Sequence, residues 1–170
     1  AVTMSVVIVT GLSLGIAQAI RQYSLFDNMG SVVSLFFYSM PSFWLALMLI
    51  LLFAVHWQWL PASGMVDAVM HDYMSPSEQL VDRIKHLILP GLGLGVASSA
   101  GMARYMRSSM LEVVRQDYIR TARAKGLDES IVVWKHAFRN SLITIVTLLG
   151  NLLPALIGGS VIVEYIFSIN

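Results

Sequence analysis

The 170-residue sequence contains no cysteine, and only 12% of its residues are charged. The first absence removes disulfides and any cysteine-based metal site, and it leaves the redox compartment unread. The second is half of the roughly 25% carried by ordinary soluble domains, and the shortage is uneven. Residues 1–20, 28–66, 87–103 and 140–163 contain no Asp, Glu, Lys or Arg. A span needs about 20 apolar residues at 1.5 Å each to cross ~30 Å of hydrocarbon. Uncharged runs of this kind, in a chain that is 56% hydrophobic, make a multi-pass membrane protein. An ion- or proton-coupled transporter places ionisable groups inside its spans, and these runs hold none. G-x-x-x-x-G-K-[ST] is also absent, so the chain carries no nucleotide-binding loop, and without H-E-x-x-H an intramembrane metalloprotease is disfavoured. Ala1 opens into an apolar run with no basic region before it, unlike a secretory signal. Both ends read as cut, and a piece of a larger protein is expected.

Four spans are expected, near residues 2–20, 32–55, 87–103 and 141–163. In the first, Gly11 and Gly15 form a small-residue face for close helix packing. The same stretch matches G-x-S-x-G, but a nucleophile elbow needs a strand-turn-helix setting that a continuous apolar helix does not provide. A polar connection, residues 21–31, precedes the second span, where Pro41 allows a kink. That span closes on Trp57 and Trp59, aromatic residues suited to a membrane interface. Residues 60–86 form an acidic loop with Asp67, Asp72, Glu78 and Asp82. Within it Ser75-Pro76-Ser77-Glu78 reads as a capping box, opening a short amphipathic helix at the interface. His56, His71 and His86 share no i,i+3 or i,i+4 spacing with one another, so solvated or interfacial histidines are expected and no metal site. Small residues crowd the third span, Gly91 to Gly101, and serve either tight packing or the wall of a pathway. In the last span Asn151 reads as an interhelical hydrogen bond. Glu164, just after it, is either an interfacial acid or part of an outer gate.

Eight of the eleven Lys/Arg residues fall between Arg104 and Arg139. Loops 21–31 and 104–139 together hold nine and loop 56–86 holds two, which puts the basic loops in the cytoplasm and the acidic loop outside. Within residues 104–139, Leu111, Val114, Tyr118 and Ala122 form one apolar helical stripe. Glu112 with Arg115, and Asp117 with Arg120, are i,i+3 ion pairs. Gly126 is a natural C′ residue, Asp128 a natural N-cap, and Lys135, His136 and Arg139 suit the last turn of a second helix. Ile131, Trp134 and Phe138 give that helix an apolar face. Charge alone fits a segment that touches anionic headgroups. Two capped helices with apolar faces, hinged at one glycine, fit the groove of another protein better.

The run Asp117-Tyr118-Ile119-Arg120-Thr121-Ala122-Arg123-Ala124-Lys125-Gly126-Leu127, followed by His136-Ala137-Phe138-Arg139-Asn140, resembles the cytoplasmic loop signature of binding-protein-dependent ABC importer permeases. Pro41-Ser42-Phe43-Trp44-Leu45 and Val163-Glu164-Tyr165-Ile166-Phe167-Ser168 resemble two further motifs of that family, in the same order. Within the family the chain looks most like the first permease subunit of the dipeptide, oligopeptide and nickel group. The resemblance implies an all-α polytopic bundle of the type I importer kind, a single permease domain over residues 1–170 with six spans in the full protein. It implies transport of di- or oligopeptides, with nickel or another small solute as the alternative. No catalysis, cofactor or nucleic-acid partner is expected. Implied partners are ATP-binding subunits, a second homologous permease subunit, an extracytoplasmic solute-binding protein and the lipid of a prokaryotic inner membrane. Carried onto this chain, the ATPase-coupling residues are Asp117, Arg120, Thr121, Ala122, Arg123, Ala124, Lys125, Gly126, Leu127 and Asp128, with Glu164 at an outer gate. The chain departs from the family where Asp117-Tyr118 replaces Glu-Ala-Ala and where Thr144-Ile145 replaces Leu-Pro; the second change implies a less kinked entry to the last span.

Overall fold

The computed structural model describes the backbone of residues 2–169 and the side chains of residues 3–150 and 161–169. Everything packs on one long helix, α4 (Pro76–Val114), against which α1 (Val2–Ile20), α2 (Leu25–Ser39), α3 (Ser42–Leu49) and α7 (Arg139–Ile166) all lie. No strand occurs among the described residues. The α1–α4 contact depends on bare backbone. A Cβ at Gly11 would stand 2.7 Å from that of Met102, and one at Gly15 would stand 2.5 Å from the Ala103 carbonyl oxygen. Gly11-x-Ser13-x-Gly15 is therefore a packing face inside a helix. Thr10 Oγ1 donates to Ser99 Oγ across the same seam at 2.8 Å.

The expected second span is two helices. Residue Met40 precedes Pro41 and is pushed to extended backbone, ψ 134°. The helical pair Leu25–Ser39 and Ser42–His56 consequently bends by 100°. Its first limb starts inside the stretch expected as a polar connection, which shrinks to residues 21–24. Ser24 caps α2, its Oγ accepting from the Asp27 N–H. After α3 the chain continues as a π-helical segment (Ile50–His56) and stacks Trp57 on Trp59 with ring centroids 4.7 Å apart.

The amphipathic helix expected near Ser75 is present but is not separate. A capping box of Ser75 and Glu78 starts α4, which then runs 39 residues through Pro90, whose ring removes one N–H donor from the helical ladder. Of the two readings of the small residues, close packing is what the described contacts show. Gly93 meets Ala46 of α3, Gly95 meets Val6 of α1, and Gly101 meets the Tyr38 ring of α2. The apolar stripe Leu111–Ala122 is likewise split. After Val114 the backbone turns at Arg115 and Gln116, and α5 (Asp117–Ala124) begins. No ion pair joins Glu112 to Arg115, whereas Asp117 and Arg120 are 3.5 Å apart. The expected second helix has no end at Arg139: α6 (Glu129–Ile131) passes through a π-helical segment (Val132–Phe138) directly into α7. Lys135, His136 and Arg139 thus lie mid-helix. Thr144 and Ile145 continue α7 without a break, as their departure from Leu-Pro implies.

Two apolar clusters result. One holds Val7, Ile16, Met102, Met106, Met110, Ile119, Ala122, Val132, Ala137 and Ile145; the other, toward the opposite end of α4, holds Ala46, Leu89, Val163 and Phe167. Among the described residues α1 and α4 are long and apolar enough to cross a membrane, and the bent pair is so as one span. The expectations for Asn151, Pro154, Gly158 and Gly159 lie outside the described side chains.

Candidate functional site

The short helix α5 has one buried face and one exposed face. Ile119 and Ala122, three residues apart, are buried in the cluster that includes Met106, Met110, Val132 and Ala137. Arg120, Thr121 and Arg123 point outward. The helix ends in a Schellman motif: the Gly126 N–H donates to the Arg123 carbonyl at 2.9 Å and the Leu127 N–H to that of Ala122 at 3.4 Å. This geometry sets Gly126 at φ +75°, where a side chain is strained, although a Cβ there would meet nothing within 4 Å.

The return path is capped at once. Asp128 Oδ1 accepts from the Ser130 N–H at 2.8 Å, and Ser130, by its side chain first and its N–H second, holds the Asp128 carboxyl below its ordinary range. Across the turn, Arg123 forks onto Glu129, Nη2 to Oε1 at 2.6 Å and Nε to Oε2 at 3.1 Å. Arg123 lowers the Glu129 carboxyl, and the carboxylate raises the guanidinium in return. The tip from residue 123 to residue 131 is exposed throughout. It presents Leu127 and Ile131, each 40% exposed, next to Trp134 at 54%. Charged groups that are stapled in place surround an apolar patch that this chain leaves uncovered.

Of the residues expected in the coupling role, Asp117, Arg120, Thr121, Arg123, Ala124, Lys125, Gly126, Leu127 and Asp128 all lie on this exposed surface. Ala122 does not; it is buried and holds α5 down. The expected apolar face of the second helix is not the buried one: Ile131 and Trp134 point outward and Phe138 is half-buried, while Val132 and Ala137 are the buried residues. Glu164 is exposed in the last turn of α7, where its carbonyl accepts the Ile169 N–H at 2.9 Å.

Two polar clusters escape a reading of the sequence. Asp27 at the start of α2 is fully buried and bound by Arg107 of α4 at two points, Nε to Oδ1 at 2.6 Å and Nη2 to Oδ2 at 2.7 Å. The second corrects the histidine expectation. His56 is exposed, but His71 and His86 are buried on either side of Asp82, His71 Nδ1 at 2.7 Å and His86 Nδ1 at 3.1 Å from its carboxylate oxygens. Asp82 also accepts the Asp67 N–H at 2.9 Å. Asp67 in turn binds the N–H groups of Met70 and Val69, and these two bonds lower its carboxyl. The Asp82–His86 pair has i,i+4 spacing that was visible in the sequence; comparing histidines only with histidines hides it. No group of three or more His, Cys, Asp or Glu among the described residues is arranged to hold a metal.

Residues 11–170 match a family model described as "Binding-protein-dependent transport system inner membrane component". The chain is 45% identical to the di/tripeptide transport system permease protein DppB of Pseudomonas aeruginosa (strain UCBPP-PA14), over 93% of this chain and 51% of that protein. It is 42% identical to the oligopeptide transport system permease protein AppB of Bacillus subtilis (strain 168), over 92% and 48%. To the dipeptide transport system permease protein DppB of Escherichia coli (strain K12) it is 40% identical, over 93% and 51%. The chain spans about half the length of the curated relatives it matches.

Proposed function

Because the chain belongs to the family of binding-protein-dependent transport system inner membrane components, we propose that it is part of the permease subunit of an ATP-driven importer of di- or oligopeptides. The peptide class rests on the names of its relatives. The observation that carries the mechanism is the exposed tip at residues 123–131, whose apolar Leu127, Ile131 and Trp134 are held by a Schellman turn, an Asp128 cap and the Arg123–Glu129 fork. Such a surface suits the cleft of a separate ATP-hydrolysing subunit. Closure of that subunit would push the tip, and the tip is continuous with α7 and packed on α4.

In this reading residues 1–170 contribute four spans of one permease domain in the inner membrane, the bent α2–α3 pair and α7 among them. The 104–139 region faces the cytoplasm with the 21–24 turn, and the 57–75 loop faces outward. A solute-binding protein delivers peptide there, and a second homologous permease subunit completes the path. Glu164, at the outer end of α7, belongs to the outer gate.

Gly126 offers the direct test. Open space surrounds it, so Gly126→Trp adds bulk to the docking surface at a backbone cost of about 1–2 kcal/mol. Gly126→Asn tolerates the same φ and serves as the folding control. In full-length protein, Gly126→Trp should lose co-purification of the ATP-binding subunits and uptake of labelled dipeptide into vesicles, while Gly126→Asn keeps both. Undiminished assembly and uptake with Gly126→Trp would remove the tip from the coupling role.

A further inference from the structure

The basic residues at the cytoplasmic end of α4 are not equivalent. Arg107 is committed to Asp27. One turn earlier, Arg104 has no carboxylate within ion-pairing distance among the described residues, and its guanidinium lies over the Tyr38 ring, 5.6 Å from the centroid. With Tyr38, Gly101, Tyr105 and Ser108 it lines a cleft of about 270 Å³ between α2 and α4. Gly101 makes room for it: the Tyr38 ring lies against bare backbone, 3.0 Å from where a Cβ would stand. The cleft offers a guanidinium fork, two phenols and a hydroxyl, a donor set suited to phosphate or carboxylate oxygens.

Depth and surroundings select among anions. Arg104 ends the uncharged run 87–103, which spans about 25 Å of helix at 1.5 Å per residue. Its guanidinium therefore stands at the edge of a hydrocarbon layer ~30 Å thick. Tyrosine favours that level. Beyond Tyr38, on α3, which packs at the level of Gly93 on the hydrocarbon side of Arg104, Phe43, Trp44 and Leu47 are all exposed. That apolar surface fits acyl chains and offers nothing to a hydrated peptide.

We propose that the Arg104–Tyr38–Tyr105–Ser108 cleft binds the phosphate of an anionic lipid headgroup at the cytoplasmic boundary of the membrane. This rests on the orientation proposed above, since the inner surface of the bilayer supplies such headgroups. The bound phosphate supplies an anion for Arg104 and, touching Tyr38 of α2 and Ser108 of α4, clips the two helices together.

The test uses the full-length permease in its assembled complex, in detergent micelles doped with phosphatidylglycerol, phosphatidylcholine or free alanylalanine, with adducts read by native mass spectrometry. Wild type should retain phosphatidylglycerol over phosphatidylcholine, and Arg104→Gln should lower that retention at least fivefold. Arg104→Lys should recover part of it, and Arg139→Gln, which removes an exposed cation elsewhere, should change it less than twofold. Equal retention in wild type and Arg104→Gln overturns the site, as does equal retention of phosphatidylcholine. Displacement of the lipid by alanylalanine in an Arg104-dependent way also overturns it and assigns the cleft to solute carboxylate. Dipeptide uptake is measured on the same preparations: uptake without Arg104-dependent lipid retention sinks the lipid site and leaves the import reading standing, whereas lipid retention without uptake does the reverse.

Discussion

Removing Arg107 should cost more than removing the charge of Asp27, and the asymmetry follows from their burial. Asp27 has no side-chain exposure, whereas Arg107 is 26% exposed. Arg107→Met leaves a buried carboxylate with the Tyr23 N–H, at 2.9 Å, as its remaining described backbone donor. Breaking a buried pair from that side costs about 3–5 kcal/mol. Asp27→Asn removes the charge but keeps an oxygen for Tyr23, and the partly exposed guanidinium can turn to water. An unmade hydrogen bond of that kind costs about 1–3 kcal/mol. The double variant Asp27→Asn/Arg107→Met no longer strands either charge, so it should be more stable than the sum of the singles predicts, by about 1–3 kcal/mol. Unfolding of the full-length permease in mixed detergent micelles, followed by tryptophan fluorescence, measures all three. If Asp27→Asn matches or exceeds Arg107→Met, or if the singles add in the double, the pair is not a coupled, water-excluded bridge and the reasoning fails.

Three further outcomes are expected. Arg123 lowers the Glu129 carboxyl below its ordinary 4.5, so the stabilisation from the fork is present above pH 4.5 and is lost as pH falls through the lower folded value. An NMR titration of Glu129 should show that lowered midpoint and its return to the ordinary range in Arg123→Gln; because both groups are largely exposed, the stability at stake is only about 0.2–1 kcal/mol. Ile119→Ala empties a fully buried site under α5 and should cost about 2–5 kcal/mol, seen as faster hydrogen exchange throughout residues 117–124. Ser75→Ala removes half of the capping box that starts α4 and should cost about 1 kcal/mol, whereas Asp82→Asn, which disturbs bonds from Asp67, His71 and His86 together, should lower the thermal midpoint further.

What the sequence disclosed follows from the range of the interactions. Gly126, Asp128 and the Ser75–Glu78 box are local: each is decided by hydrogen bonds within a few residues, and each stands where spacing puts it. The Pro41 break was legible as a kink, but its size was not, because the angle depends on how α2 and α3 pack on α4. Helix ends failed for a related reason. Periodicity carried the stripe from Leu111 to Ala122 across Arg115 and Gln116, although Ile119 and Ala122 reach the core only if the chain turns there. The Asp27–Arg107 bridge joins residues far apart in sequence, and no local pattern announces it. His71 looked solvated because its partner Asp82 lies on a different element.

In the proposed coupling role, a push at the 123–131 tip would have two routes through the molecule. The tip has two rigid attachments. Through Ile119 and Ala122 it is fixed to Met106 and Met110 of α4, and through Glu129–Phe138 it is continuous with α7. α4 extends about 58 Å at 1.5 Å per residue, and its far end carries Asp82 with the buried His71 and His86. The far end of α7, distant in sequence, meets the loop that precedes α4, where the Phe167 carbonyl accepts the Gly64 N–H at 2.8 Å. Both levers driven by the tip therefore terminate on the same loop, residues 57–75. In the proposed coupling role, a displacement of the tip would reach that loop unless α4 or α7 bends. Pro90 is the one interruption of the backbone ladder that α4 contains, and it lies next to the Gly93–Ala46 contact where α3 crosses. In the proposed role, bending that decouples the two ends of α4 would fall near Pro90, where α3 packs on α4.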